Sequence, residues 1–297
     1  MKPKNDWLMY FLTVLCMLFW GLSFVWVKIV YRYYHPFTVV FLRLFFSSIL
    51  IFALERLFRS VEKVERKDLP WLLLLAFFEP FLYFLGESLG ISFVSATVAS
   101  LIISTIPVFV PVLAYLFLSE KIKPAGIIGL SFSTLGVILL ILDRNLQFRY
   151  SVKGVLLMYV AVMSAAGYTI LAARMVRKYR PLTLLKFQNM LGCLYFLPLF
   201  LIFGLDNFLS VNPCPELVTN LTLLIVFPST LSFLFFNMAL QSIGVNRANV
   251  FTYLIPLFSA MASNLLLGEP FDMSKIFAMI VVICGVGISQ YDSSRTS

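Results

Sequence analysis

Charge is what this chain has least of. Of its 297 residues only 12% are charged and 61% are hydrophobic, with a mean hydropathy of +0.95, whereas a soluble domain carries about a quarter charged residues. A water-soluble core could not hide so much apolar surface. Histidine is nearly absent too: His35 stands alone before Pro36 and reads as a surface residue. The four cysteines, Cys16, Cys193, Cys214 and Cys284, form no C-x-x-C pair, so neither a metal site nor a disulfide framework is expected. There is no G-x-x-x-x-G-K-[ST] loop, which excludes ATP as the direct energy source. Asp6, Asp68, Asp143, Asp206, Asp272 and Asp292 all fall in expected loops or tails, leaving no intramembrane aspartate for an aspartyl protease. No catalytic residue, metal or cofactor is expected, and the chain does not read as an enzyme.

What remains is long apolar runs. Windows of about 20 residues, the length that crosses a bilayer, fit at 7–29, 37–58, 69–90, 94–118, 124–142, 153–174, 182–204, 217–240, 247–267 and 274–291. The expected class is an all-α integral membrane protein, since a β-barrel would need alternating polarity. The first run is too long for a cleavable signal and has no small-residue cleavage site after it, so it is expected to stay. With ten spans, Arg56, Arg59, Lys63, Arg66, Lys67, Lys121, Lys123, Arg174, Arg177, Lys178 and Arg180 share one side with the N-terminus. That excess predicts both termini in the cytoplasm and a multi-pass protein of the cell's inner membrane. The net charge of +9 is then a matter of topology and anionic lipid. Membrane lipid is an expected partner; nucleic acid is not.

The chain also repeats itself. Pro107, Glu120 and Gly136 recur as Pro256, Glu269 and Gly285, each 149 residues later, the mark of a duplicated unit. The expected domains are 1–145 and 150–292, five spans each. An odd number of spans makes the second copy enter the membrane from the opposite side, and inverted repeats commonly place a substrate site between the halves. His35-Pro36 answers to Arg180-Pro181, and at that offset Arg43 falls on Gln188.

Five-plus-five spans, Trp20-Gly21 in the first, Arg43 in the second and the duplicated Pro-to-Glu blocks resemble the EamA family of the drug/metabolite transporter superfamily. The resemblance covers nearly the whole chain. It implies ten transmembrane helices in two inverted repeats, a central cavity and efflux of small metabolites, amino acids or drugs by alternating access. Ala166-Gly167 replaces Trp-Gly in the second half and Gln188 replaces Arg, so the halves are not chemically equivalent.

Helical spacing then picks out candidate site residues. Ser100, Ser104, Pro107 and Pro111 share one stripe, and Asn249, Tyr253, Pro256 and Ala260 share the matching one. Proline inside a helix removes a donor and frees carbonyl groups, which suits a polar cavity but also suits ordinary helix packing. Thr230, Asn237 and Gln241 line a face of the eighth span, where Asn237 either touches substrate or ties two helices. Trp20 and Tyr168 are candidate cavity aromatics beside small residues; most of the 31 Phe face lipid or fill contacts. Among the acids only Glu79 and Glu87 lie well inside a span, on one face with Tyr83. An embedded carboxylate costs roughly 2.5–3.5 kcal/mol on insertion scales, so it should face the interior and be paired or protonated. By depth, Arg43 reaches Glu87, giving a structural ion pair. Glu79 is left to exchange a proton, hold a cationic group of the substrate, or sit neutralised beside a hydroxyl.

The expected function is a secondary transporter that exports small amphipathic solutes, with substrate contacts at Trp20, Glu79, Tyr83, Ser104, Tyr168, Asn237 and Tyr253 and protons as candidate coupling ions. The rival is a non-transporting scaffold or lipid-handling protein, which would have a dry core.

Overall fold

The computed structural model describes residues 6–59, 62–110, 113, 124–141, 150–269, 273, 276–277 and 279–284. These are helical throughout, with no strand among the described residues. Seven helices are long and apolar enough to cross a membrane: Trp7–Val30, Pro36–Leu57, Arg66–Gly90, Val152–Met175, Pro181–Ser210, Pro215–Ser242 and Arg247–Leu267. Within the runs expected at 94–118 and 124–142 the described residues include the apolar helices Ala96–Val110 and Ile127–Leu139, the first run lying partly outside the described residues. The run expected at 274–291 lies partly outside the described residues, as do the landmarks Glu120 and Gly285.

Labels follow the regular α-helical pieces. They are α1 (Asp6–Val30), α2 (Pro36–Leu57), α3 (Leu69–Ala76), α4 (Tyr83–Gly90), α5 (Ala96–Ile103), α6 (Pro124–Ile141), α7 (Val152–Met175), α8 (Pro181–Leu199), α9 (Leu205–Ser210), α10 (Pro215–Val226), α11 (Phe233–Ser242), α12 (Val245–Val250) and α13 (Leu254–Leu267). Short wide turns of helix join α3 to α4 (Phe77–Leu82), α8 to α9 (Phe200–Gly204) and α10 to α11 (Phe227–Ser232). Such bulges arise where the hydrogen-bond ladder is interrupted. Pro80 sits inside the first and Pro228 opens the last, each lacking the N–H that the ladder requires. At the first break Glu79 leaves helical geometry altogether, with φ −142° and ψ 117°.

Backbone groups freed at a break cannot turn to water in a bilayer, so side chains must meet them. Ser164 Oγ on α7 donates to Phe78 O at 2.5 Å. At the other break Ser47 Oγ on α2 donates to Ser229 O at 3.1 Å, and Thr230 Oγ1 to Ile225 O at 2.8 Å.

The helices of the first part pack on those of the second. α1 lies along α13 and against α10 and α11, α7 lies against α4 and α5, and α2 runs beside α8. Gly21 shows how close these contacts are. A Cβ there would stand 2.7 Å from Phe258 Cβ and 2.9 Å from Ile255 O, so only glycine lets α1 approach the backbone of α13. Gly86 plays the same part between α4 and α7, where a Cβ would be 2.6 Å from Leu157 O.

Between α2 and α8 the embedded Lys186 donates to both carboxylate oxygens of Glu55, at 2.8 and 3.0 Å, with both side chains buried. Removing one partner of such a pair strands a buried charge and costs about 3–5 kcal/mol, whereas removing both is often nearly neutral. Lys186→Met should therefore lower the thermal midpoint of the detergent-solubilised protein sharply, and Lys186→Met with Glu55→Leu should recover most of it. Equal losses in the single and double variants would show that the ion pair does not join the two helices.

Candidate functional site

α1, α2, α4, α5, α7 and α11 surround a buried cavity, closed on its remaining side by the segment from Asn249 to Ile255. Its volume is about 50 Å³, room for roughly three to five waters at about 10–15 Å³ each. α1 contributes Trp20, Ser23 and Phe24; α2 contributes Arg43; the broken third helix contributes Glu79, Tyr83, Phe84 and Glu87. Ala165, Tyr168 and Thr169 enter from α7, Phe233 and Phe236 from α11, and Asn249, Thr252 and Ile255 complete the wall. Six of the nine residues expected at the site thus share one cavity: Trp20, Arg43, Glu79, Tyr83, Glu87 and Tyr168.

The other three do not line it. Ser104 donates back to Leu101 O at 2.7 Å, within its own helix end. Asn237 lies one layer behind, its Oδ1 3.1 Å from the Tyr168 hydroxyl. The Tyr253 hydroxyl, on the turn Phe251–Tyr253, is buried and has no hydrogen-bond partner among the described residues. Among the residues that the sequence reading did not select, Asn249 stood on the expected stripe and Ser23 lies one turn from Trp20. Phe84 and Thr252 carried no signal, being ordinary residues of apolar runs.

The expected Arg43–Glu87 ion pair is replaced by a different arrangement. Arg43 Nε donates to Ser229 Oγ at 3.0 Å, and its guanidinium lies 4.7 Å from the centre of the Phe84 ring. Glu87 Oε1 instead accepts from the Tyr83 hydroxyl at 3.0 Å. Depth along the helices brings Arg43 and Glu87 to the same cavity, but the break at Phe227–Ser232 presents Ser229 to the guanidinium. They interact through space rather than by contact. Glu79, 6% exposed, makes no hydrogen bond or ion pair among the described residues.

Gln188, at the place of Arg43 in the second half, takes Tyr168 as its neighbour. The Tyr168 hydroxyl lies 3.2 Å from Gln188 Oε1 and 3.1 Å from Asn237 Oδ1. A hydroxyl has one proton, so one amide must turn its N–H toward the tyrosine oxygen. That flip also accounts for one of the two buried amide nitrogens left unpartnered, Gln188 Nε2 and Asn237 Nδ2.

Polar ties join the two parts of the chain near the helix ends. Glu269, just after α13, accepts from Ala96 N and Thr97 Oγ1 at 3.1 Å each, at the start of α5, and lies 3.9 Å from Lys28. Lys178 contacts Asp68 and also Glu65, the latter at 3.0 Å, and Tyr179 donates to Asp68 at 2.5 Å. Hydrogen bonds from Lys67 and Lys178 hold Glu65 below the usual carboxylate range, and those to Asp68 and Glu65 hold Lys178 above its ordinary value. Tyr33 bonds Glu216, and His35 N donates to Asn207 Oδ1 at 2.7 Å. Among the described residues no group of His, Cys, Asp and Glu could hold a metal ion.

Residues 7–142 and 152–290 each match the EamA-like transporter family. Two uncharacterized transporters of Archaeoglobus fulgidus are similar to this chain. One is 29% identical over 96% of this chain and 98% of its own, the other 30% identical over 93% and 95%. The uncharacterized transporter YdfC of Bacillus subtilis is 26% identical over 90% of this chain and 86% of its own. A chain of known crystal structure superposes with a TM-score of 0.71 over 95% of this chain and 98% of that one; at 13% identity the likeness is one of fold.

The Arg43 geometry makes a prediction about stability. Ser229→Ala leaves a buried charged donor without its acceptor and should cost about 1.5–3 kcal/mol, read as a lowered thermal midpoint. Glu87→Gln keeps an acceptor for Tyr83 and should cost less. If Glu87→Gln is the more damaging, Arg43 leans on Glu87 after all.

Proposed function

Since the chain belongs to the EamA-like transporter family, we propose that it is a secondary transporter exporting small amphipathic organic solutes by alternating access around the cavity at Glu79. The family and its transporter relatives make it a multi-pass membrane protein. The finer reading has ten spans, as two inverted five-helix halves over 1–145 and 150–292, set in the inner membrane with both termini in the cytoplasm. The echo of landmarks at 149 residues supports two halves. So does the packing of α1 on α10, α11 and α13 beside that of α7 on α4 and α5. The breaks Phe77–Leu82 and Phe227–Ser232 recur at nearly the same spacing.

One observation carries the reading. A carboxyl side chain is buried, without a hydrogen-bond or ion-pair partner among the described residues, on a cavity walled by helices from both parts of the chain. A packing role would neutralise Glu79 with a neighbour, because an unpaired acid in hydrocarbon is costly. A transport role leaves it free to take up and release a proton or a solute once per cycle. Trp20, Tyr83, Tyr168 and Glu87 form the wall against which the solute rests, with Arg43 fixed beside them. The cavity is too small for a whole solute, so this conformation is closed around the site and transport requires it to open.

Cysteine labelling tests the cycle without knowledge of the solute. In a background lacking the native cysteines, Ser23→Cys and Thr169→Cys should each react with a membrane-impermeant maleimide in both right-side-out and inverted vesicles. Labelling from neither face would favour the scaffold.

Glu79→Gln keeps the size of the side chain and removes its titration. It should leave the protein inserted and stable, while abolishing export or removing its pH dependence, read as resistance or solute release on overexpression. Normal export by this variant at every pH tested would remove Glu79 from the mechanism.

A further inference from the structure

Resting on the transporter reading above, we infer that the solute is an organic cation, presenting an ammonium head to Glu79 and an apolar or aromatic body to the Trp20 wall. The charges lining the cavity do not balance. Two carboxylates, Glu79 and Glu87, face one guanidinium, Arg43. Arg43 gives its Nε–H to Ser229 and lays its plane near Phe84, and its four Nη–H groups have no hydrogen bond among the described residues. Glu87 has that positive charge nearby and the Tyr83 hydroxyl in contact. With both acids ionised Glu79 is left over, and the described lining carries one formal negative charge more than positive.

Each class of occupant meets this lining differently. A neutral solute brings no charge for Glu79, which must then keep its proton or stand as an uncompensated buried carboxylate. An anion would join two acids on a lining that offers a single guanidinium. A monovalent cation brings the missing charge and the missing donors together.

The rest of the wall suits the same chemistry. The Trp20 ring lies 5.3 Å from Phe233 and 5.2 Å from Phe236, measured between ring centres, and Tyr83 and Tyr168 complete the aromatic lining. Aromatic faces attract ammonium groups, tryptophan most strongly. Asn249 lines the cavity with a buried Oδ1 that has no hydrogen-bond partner among the described residues, a second acceptor for an N–H. A volume of about 50 Å³ admits an ammonium head before the cavity opens for the body.

A matched set of probes tests the inference on the purified full-length protein in detergent. Benzylamine, benzyl alcohol and benzoate share a skeleton and differ in charge at pH 7.5. At constant ionic strength, benzylamine should raise the thermal midpoint saturably, with little effect from the alcohol or the benzoate. Glu79→Gln should weaken the apparent benzylamine affinity at least tenfold, and Trp20→Leu several-fold. A benzylamine shift no larger than that of benzyl alcohol, or one undiminished in Glu79→Gln, overturns the inference. The wild-type comparison stands alone if a variant does not fold. Failure here with two-sided labelling intact removes the cation and keeps the transporter. Loss of two-sided labelling removes the transporter, and the probe series still decides the charge preference.

Discussion

In a hydrocarbon environment the backbone has no water to fall back on, and that constraint organises most of what is polar in this molecule. Two long helices are broken in mid-course, at Phe77–Leu82 and Phe227–Ser232, and each break releases groups that a neighbouring helix must satisfy. Ser164 answers the first, and Ser47 with Thr230 answers the second. Asn189 steadies the second break further, donating to Ser47 Oγ at 2.7 Å. Thr230 belongs to the break itself, but Ser47, Ser164 and Asn189 come from α2, α7 and α8, so the breaks hold together helices distant in sequence. The cavity exists because the breaks do: Glu79 faces it from one, and Ser229 orients Arg43 toward it from the other.

The same constraint sorts the embedded charges into two kinds. Lys186 and Glu55 satisfy each other in a closed pair, a structural solution that leaves nothing over for a ligand. Arg43, Glu87 and Glu79 are arranged differently, with a serine, a ring and a tyrosine as their contacts and one carboxylate left open. A protein that needed only to be stable would gain by closing that set as it closed the other. The open carboxylate is therefore the feature of the core that packing does not explain.

Much of this was legible in the residues. Long apolar runs report helices because hydropathy over about 20 residues is hard to produce otherwise. A lone Glu or Arg within such a run stands out, and Arg43, Glu79 and Glu87 do share one cavity. Their partners were harder to read. The contact from Arg43 to Ser229 crosses 186 residues and depends on a break whose shape proline alone does not specify. Glu55 was hidden at the head of the charged stretch 55–68, which reads as a solvated loop. Asp206 was read as a loop residue, yet it belongs to α9, because Phe200–Gly204 carries the helix onward past its expected end. Ser104, chosen for its stripe, turns its hydroxyl back to its own helix, a local choice that spacing does not reveal.

The Glu55–Lys186 pair has a consequence for how the protein is made. The two residues are 131 positions apart, and at roughly 5–20 residues per second of synthesis α2 waits about 7–26 s for the segment that neutralises it. During that interval the nascent first half carries Glu55 and Arg43 without their final neighbours, since Ser229 is made later still. Such a half-built bundle is an incomplete solvent for its own charges. It must keep those side chains near the lipid headgroups or against the insertion machinery until α8 and the break Phe227–Ser232 arrive. A chain cut short after the first half would retain this exposed polarity permanently, and so present to membrane quality control a signal that the finished protein conceals.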